Sequence, residues 1–162
     1  MLKTTNNQRL PRISTSGYSL AEILITSAAL IIVIAGLIQL FIYGSRLSDL
    51  SRAMSFAITE AQAKMEEIRN STYTTITANY ASGGSPGNTF TMTQGNGRGI
   101  IYIDSTNANL LQIDIVVSFS LPSGRVIGED LDLDGNLDAG EDTNGNGRLD
   151  SPATIVSLLA QR

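Results

Sequence analysis

The chain has 162 residues, no cysteine, no histidine and a net charge of −4. Without cysteine it can form no disulfide framework, and without histidine it lacks the commonest general base and the imidazole of a catalytic triad. We therefore expect that it is not an enzyme. Residues 128–150 hold eight acidic residues and one basic residue, a net of −7, which leaves the rest of the chain at +3. No basic patch with interleaved aromatic residues is present, so we expect no nucleic-acid partner.

The first part of the chain combines a basic leader with an apolar segment. Residues 1–17 contain Lys3, Arg9 and Arg12 and no acidic residue, and residues 20–43 contain only one charged residue, Glu22. At ~1.5 Å per residue in a helix, that segment can cross a bilayer core of roughly 30 Å. Positive charge favours the cytoplasmic side of a membrane. The pattern predicts a single-pass inner-membrane anchor, with its N-terminus in the cytoplasm and its body in the periplasm.

Two residues distinguish this segment from an ordinary signal peptide. A secretory signal is cut at a small residue after the apolar run, whereas Gly17 lies before it. A cut at Gly17 removes the leader and keeps the anchor. An acidic residue at the edge of an apolar segment is costly in lipid and usually has a partner. Glu22 is therefore a candidate assembly residue, and a hydrated position at the membrane interface is the alternative.

These residues resemble the processing site of type IV prepilins and of the pseudopilins of type II secretion. The resemblance implies that a prepilin peptidase and methyltransferase cuts between Gly17 and Tyr18 and methylates the new amine. It also implies that Glu22 pairs with the amine of Tyr18 in a neighbouring subunit. The chain departs from the family pattern in having Tyr18 where phenylalanine is usual, Ser16 where a basic residue is frequent, and Ala21 where a large aliphatic residue is usual.

The helical pattern continues beyond the apolar segment. Seven apolar residues recur at spacings of three and four: Leu47, Leu50, Met54, Ala57, Ala61, Met65 and Ile68. The spacing predicts one helix from about Ser19 to Asn70, with a membrane half at 18–43 and an amphipathic half that packs on a domain. The stretch 61–69 with Tyr73, and the closing segment 153–162, resemble the minor pilins that include the pilus modification protein and the I-type pseudopilin.

Short strands are predicted in the remainder. Alternation of apolar and polar residues predicts a strand at 111–121, and shorter strands are predicted at 89–93, 99–104, from 125, and at 154–160. We therefore predict an α+β, pilin-like fold. In it, the long N-terminal helix packs on a small antiparallel sheet, residues 44–162 form the globular domain, and an acidic repeat is inserted at 128–151.

The acidic repeat contains two twelve-residue copies, at 128–139 and 140–151. Each begins Gly-Glu-Asp and each contains a Gly-x-Leu-Asp run. From Asp130 onward the first copy follows the spacing of an EF-hand calcium loop, with Gly135 at the sharp turn and Leu137 at the position of an apolar anchor. The candidate calcium ligands are Asp130, Asp132, Asp134, Asn136, Asp138 and Glu141.

The second copy gives a weaker site, whose candidate ligands are Asp142, Asn144, Asn146 and Asp150. Ala153 occupies the position of its closing glutamate, so this site is expected to lack that ligand. Strands rather than helices are predicted on either side, so the loops resemble those of dockerins or thrombospondin repeats. The alternative is a solvated acidic linker.

Two functions remain open. The first is a minor pilin or pseudopilin, built with other subunits into an extracytoplasmic filament of a type IV pilus or a type II secretion system and stabilised by calcium. The second is a membrane-tethered module that binds calcium or mediates adhesion outside the cytoplasm and is not built into a filament. Replacement of Glu22 distinguishes them, because only the filament subunit needs that carboxylate for assembly.

Overall fold

The computed structural model describes residues 17–107 and 109–161. Helix α1 runs from Leu20 to Arg69, close to the predicted range. By length and composition it could cross a membrane, with a mean hydropathy of 2.6 in its most apolar window. The chain divides into two compact units, one up to Tyr43 and one from Gly44 onward. The predicted leader lies outside the described residues except for Gly17.

Helix α1 begins with a side-chain cap. The hydroxyl of Ser19 accepts a hydrogen bond from the backbone N–H of Glu22 at 3.2 Å, which satisfies one of the free donors of the first turn. The Glu22 carboxylate lies in that same turn, where negative charge complements the helix dipole. The start of the helix is thus defined locally by two residues of the predicted processing region.

The second part of α1 forms the core of the globular unit. Ala57, Ala61, Met65 and Ile68 are buried, which confirms the predicted stripe from Ala57 onward. Leu47, at the beginning of the stripe, is 67% exposed. A short helix α2, from Tyr73 to Asn79, follows. It was not predicted, because its threonines and tyrosine are weak helix formers.

Five antiparallel strands form one sheet. They are β1 (Thr89–Thr91), β2 (Asn96–Asn107), β3 (Leu110–Ser120), β4 (Val126–Ile127) and β5 (Thr154–Ala160). Strand β3 is central: β2 pairs with one edge of it, and β5 and then β4 pair with the other edge. Strand β1 pairs with the free edge of β2. The predicted α+β layout is confirmed, and β2 extends beyond its predicted range at both ends.

The two faces of the sheet differ in what covers them. The odd-numbered residues of β3 from Leu111 to Phe119 are all buried and belong to the same hydrophobic cluster as the buried residues of α1. The opposite, outer face was predicted to be mostly polar. However, Ile100, Val116 and Ser118 on that face are also buried. The acidic repeat, which contacts this face, explains the difference.

Candidate cation-binding repeat

The repeat is inserted between β4 and β5, and its two ends lie together. The backbone N–H of Glu129 donates to the carbonyl of Asp150 at 2.8 Å. Gly128 enters the repeat with φ +115°, and a Cβ atom there would overlap the side chain of Ser118. Only glycine fits both this backbone conformation and this close approach. We refer to residues 130–141 as the first loop and to residues 142–153 as the second loop.

In the first loop, backbone N–H groups are bound by aspartate carboxylates. The two carboxylate oxygens of Asp130 accept from the N–H groups of Asp134, at 3.1 Å, and Gly135, at 3.0 Å. Gly135 has φ +84°, which allows the sharp turn at this point. Carboxylate oxygens of Asp130, Asp132 and Asp134 lie within 4.8 Å of one another. The backbone thus brings three of the predicted ligands together.

Glu141 closes the first loop. Its carboxylate oxygens accept from the N–H of Leu131 at 2.7 Å and from the N–H of Asp138 at 3.1 Å. Asp130 is 0% exposed and Glu141 is 5% exposed. Within the described part of the chain, neither carboxylate forms a salt bridge. Two buried negative charges therefore share one small loop without a cationic partner.

The electrostatics of the first loop follow from this burial. Burial raises the pKa of Asp130, the charge of Glu141 adds to the effect, and the N–H groups of Gly135 and Asp134 oppose it. The pKa of Asp134 is lowered, first by the side-chain and backbone donors of Asn136. A buried carboxylate with a raised pKa is stabilised in its ionised form by a bound cation. Oxygen ligands at this spacing suit calcium.

The second loop repeats the turn of the first. Asp142 accepts from the N–H groups of Asn146, at 3.0 Å, and Gly147, at 2.9 Å, as Asp130 does in the first loop. Positive φ angles fall at the same two positions in both loops. These are Leu133 at 62° and Gly135 at 84° in the first loop, and Gly145 at 73° and Gly147 at 74° in the second.

Glu129 closes the second loop, which sequence reasoning missed. Its carboxylate accepts from the N–H of Thr143 at 3.2 Å and from the N–H of Asp150 at 3.0 Å. These donors correspond to those that Glu141 binds in the first loop, at positions two and nine. Ala153 does occupy position twelve, as expected, and Glu129 reaches the equivalent N–H groups from outside the loop. The repeat itself carried the signal, because Glu129 and Glu141 hold equivalent places in the two copies.

The second loop nevertheless differs in its chemistry. The side-chain amides of Asn144 and Asn146 donate to one oxygen of Asp150, at 2.6 and 2.8 Å. Neutral donors thus satisfy the carboxylate that would otherwise face a cation. Fewer charges and more internal donors make the second loop the weaker candidate site of the two.

The second loop supplies the buried leucine with which the repeat packs on the sheet. Leu149 is 1% exposed, and its N–H donates to the hydroxyl of Tyr102 at 2.9 Å. Arg148 lies 5.1 Å from the centre of the Tyr102 ring and 3.3 Å from a carboxylate oxygen of Asp114. Leu137, which was predicted to be the apolar anchor of the first loop, is 42% exposed. The anchoring leucine is the equivalent residue of the second loop.

The predicted processing and assembly residues lie in the other unit. Gly17 and Glu22 are exposed, and Tyr18 is 79% exposed. All three lie immediately before α1 or in its first turn. This places the predicted cleavage point at the beginning of a long apolar helix.

None of the protein-family models searched matches the chain, and neither a curated protein nor a solved structure matches it. Its function is therefore inferred from its own residues and geometry.

Proposed function

We propose that this protein is a minor pilin or pseudopilin, a structural subunit of a type IV pilus or a type II secretion pseudopilus. The observation that carries the proposal is the order of Gly17, then Glu22, then a helix whose apolar part could cross a membrane. A prepilin peptidase would remove the leader at Gly17. The anchor would remain, with the globular unit in the periplasm or in an extracytoplasmic filament.

Glu22 would act in assembly by charge pairing. After cleavage, the amine of Tyr18 would be positively charged and close to the membrane. A carboxylate and an amine are each costly in lipid, and docking two subunits neutralises both. Insertion of a subunit beside its neighbour would thus be favoured over release into the bilayer.

Mass spectrometry of the N-terminus and a variant of Glu22 test this proposal. Protein isolated from its native host should begin at Tyr18 and carry a methylated amine. An intact Met1, or a cut after residue 43, would contradict the proposal. Glu22→Ala should insert into the membrane but co-purify less with other filament subunits. Asp49→Ala, which removes another exposed acid of α1, is the matched control and should co-purify normally.

We also propose that the globular unit binds calcium in the first loop. Asp130 and Glu141 are buried together without a salt bridge, and three carboxylates converge at ligand distance. Millimolar calcium outside the cytoplasm would fill even a weak site. Calorimetry of the purified protein should detect calcium binding. Absence of binding heat, with identical melting in chelator and in calcium, would leave the repeat an acidic linker.

The second candidate is a membrane-tethered module that binds calcium or mediates adhesion and does not enter a filament. The first turn of α1 favours this possibility, because the acid there already complements the helix dipole without a partner subunit. In that case Glu22→Ala and Asp49→Ala would behave alike in co-purification.

A further inference from the structure

The second loop connects the repeat to three strands. Leu149 binds Tyr102 on β2, and Arg148 binds Asp114 on β3. The hydroxyl of Ser151 donates to the carbonyl of Val117 at 2.6 Å. Two residues later, the carbonyl of Ala153 accepts from the N–H of Val117 at 2.9 Å, and β5 begins at Thr154. The loop is therefore fixed to the sheet directly before β5.

The two loops also hold each other. Glu141 closes the first loop and is followed at once by Asp142, which binds the turn of the second loop. Glu129 closes the second loop and is followed by Asp130, which binds the turn of the first. Because Asp142 adjoins Glu141, the turn of the second loop positions the carboxylate that closes the first. In the same way, the turn of the first loop positions Glu129, which closes the second.

Strand β5 is an edge strand of the sheet. It pairs with β3 on one edge, and no described strand pairs with its other edge. Val156 and Leu158 are 57% and 61% exposed. Strand β2, in contrast, is paired on both edges, by β1 and β3. Elements with few buried contacts open locally at low free energy, so β5 can open separately from β2.

We propose that the second loop acts as a strap that couples cation occupancy of the first loop to the pairing of β5 with β3. This inference rests on the proposed calcium binding. With calcium bound, the closed loops hold residues 148–151 against β2 and β3 and so hold the beginning of β5. Without calcium, repulsion between the buried carboxylates loosens the loops, the strap releases, and β5 opens more often. A subunit would then complete its sheet only where calcium is available.

Hydrogen exchange of the full chain in detergent micelles tests the strap, with mass spectrometry as the readout and free calcium varied. Above the dissociation constant, exchange in residues 154–160 should slow by about tenfold for each tenfold rise in free calcium, because opening then requires loss of the ion. Exchange in residues 98–103 of β2 should respond less. An equal response in both strands would indicate global stabilisation and would overturn the strap.

Tyr102→Phe removes the acceptor of the Leu149 N–H and should release the strap. This variant should still bind calcium by calorimetry, but at saturating calcium its β5 should exchange about tenfold faster than in the wild type. Tyr80→Phe, which removes a hydroxyl bound to Glu67 at 3.1 Å, is the matched control and should leave β5 protected. Arg148→Gln, at an exposed position, is a second test should Tyr102→Phe fail to fold.

The outcomes separate the two proposals. Calcium heat with β5 exchange that does not depend on calcium overturns the strap and leaves calcium binding in place. No calcium heat, with no response in the repeat or in β5, overturns calcium binding and the strap together.

Discussion

The first loop carries five carboxylates between Asp130 and Glu141, whereas the second carries two, Asp142 and Asp150. Both loops nevertheless adopt the same turn, with an aspartate at position one that binds the N–H groups of positions five and six. The two turns thus share that aspartate and two residues with positive φ angles, although one of those residues in the first loop is Leu133. The additional carboxylates of the first loop are not needed for folding the turn, and a bound cation would give them a physical role.

Burial divides the two loops in a complementary way. The first loop buries charge, in Asp130 and Glu141, and exposes its leucine, Leu137. The second loop buries Leu149 and satisfies Asp150 with neutral amides. The first loop thus has the buried charge that a cation site would need, and the second loop has the leucine that packs on the sheet.

Truncation of the two leucines should give the largest difference in stability between the loops. Leu149→Ala should lower the free energy of unfolding by about 2–5 kcal/mol, because it leaves a cavity at a buried position. Leu137→Ala, at the equivalent but largely exposed position, should cost no more than about 1 kcal/mol. Chemical denaturation of both variants in saturating calcium measures the difference. Equal losses would contradict the assignment of the second loop as the anchor.

Double variants that remove two candidate ligands of one loop should differ in their response to calcium. At a hundredfold excess of calcium over its dissociation constant, binding should stabilise the wild type by ~2.7 kcal/mol. Asp132→Ala with Asp134→Ala should abolish this response. Asn144→Ala with Asn146→Ala, at the same positions of the second loop, should retain most of it. Thermal melting with calcium and with chelator provides the measurement, and the reverse order of effects would locate the main site in the second loop.

The closing glutamates should show a smaller contrast. Glu129→Ala leaves two N–H groups without their acceptor and should cost about 1–3 kcal/mol, with or without calcium. Glu141→Ala should cost a similar amount without calcium and should also lose the calcium response. Denaturation in the two conditions distinguishes them. If Glu129→Ala also lost the calcium response, calcium binding in the first loop would depend on closure of the second loop.

The elements that could be predicted from the sequence are those with a strong local pattern. The stripe from Ala57 to Ile68 and the alternation in β3 have clear periods, and both form as predicted. Helix α2 has no such pattern, because Ile76 is its only buried residue and long-range packing stabilises it. Likewise, Glu129 could not be identified by loop spacing, since it precedes the first loop and reaches the second only through the close pairing of the two copies.

The cover over the outer face was unpredictable for a related reason. Alternation in β3 identifies which residues share a face, but it does not indicate what packs on that face. Val116 and Ser118 read as positions on a mostly polar face, and they are buried because a distant insert lies there. Leu137 and Leu149 hold equivalent positions in the two copies, so the sequence pattern does not indicate which of them packs on the sheet. The prediction named Leu137, whereas the fold buries Leu149.

The smallest predicted effect concerns pH. Burial raises the pKa of Asp130, so without calcium the folded state binds this proton more tightly than the unfolded state does. The contribution of Asp130 to the stability of the calcium-free protein should therefore fall as pH rises from the ordinary aspartate value through the raised one. Calcium needs the ionised carboxylate, so the stabilisation by calcium should grow over the same window, by at most about 1.4 kcal/mol for each pH unit.

Melting at fixed free calcium and without calcium, from about pH 4 to pH 7, measures this increase in the stabilisation by calcium. Asp142→Asn, at the equivalent position of the second loop, is the matched control and should leave it unchanged. A calcium effect that stays constant across this range would show that Asp130 does not bind the ion.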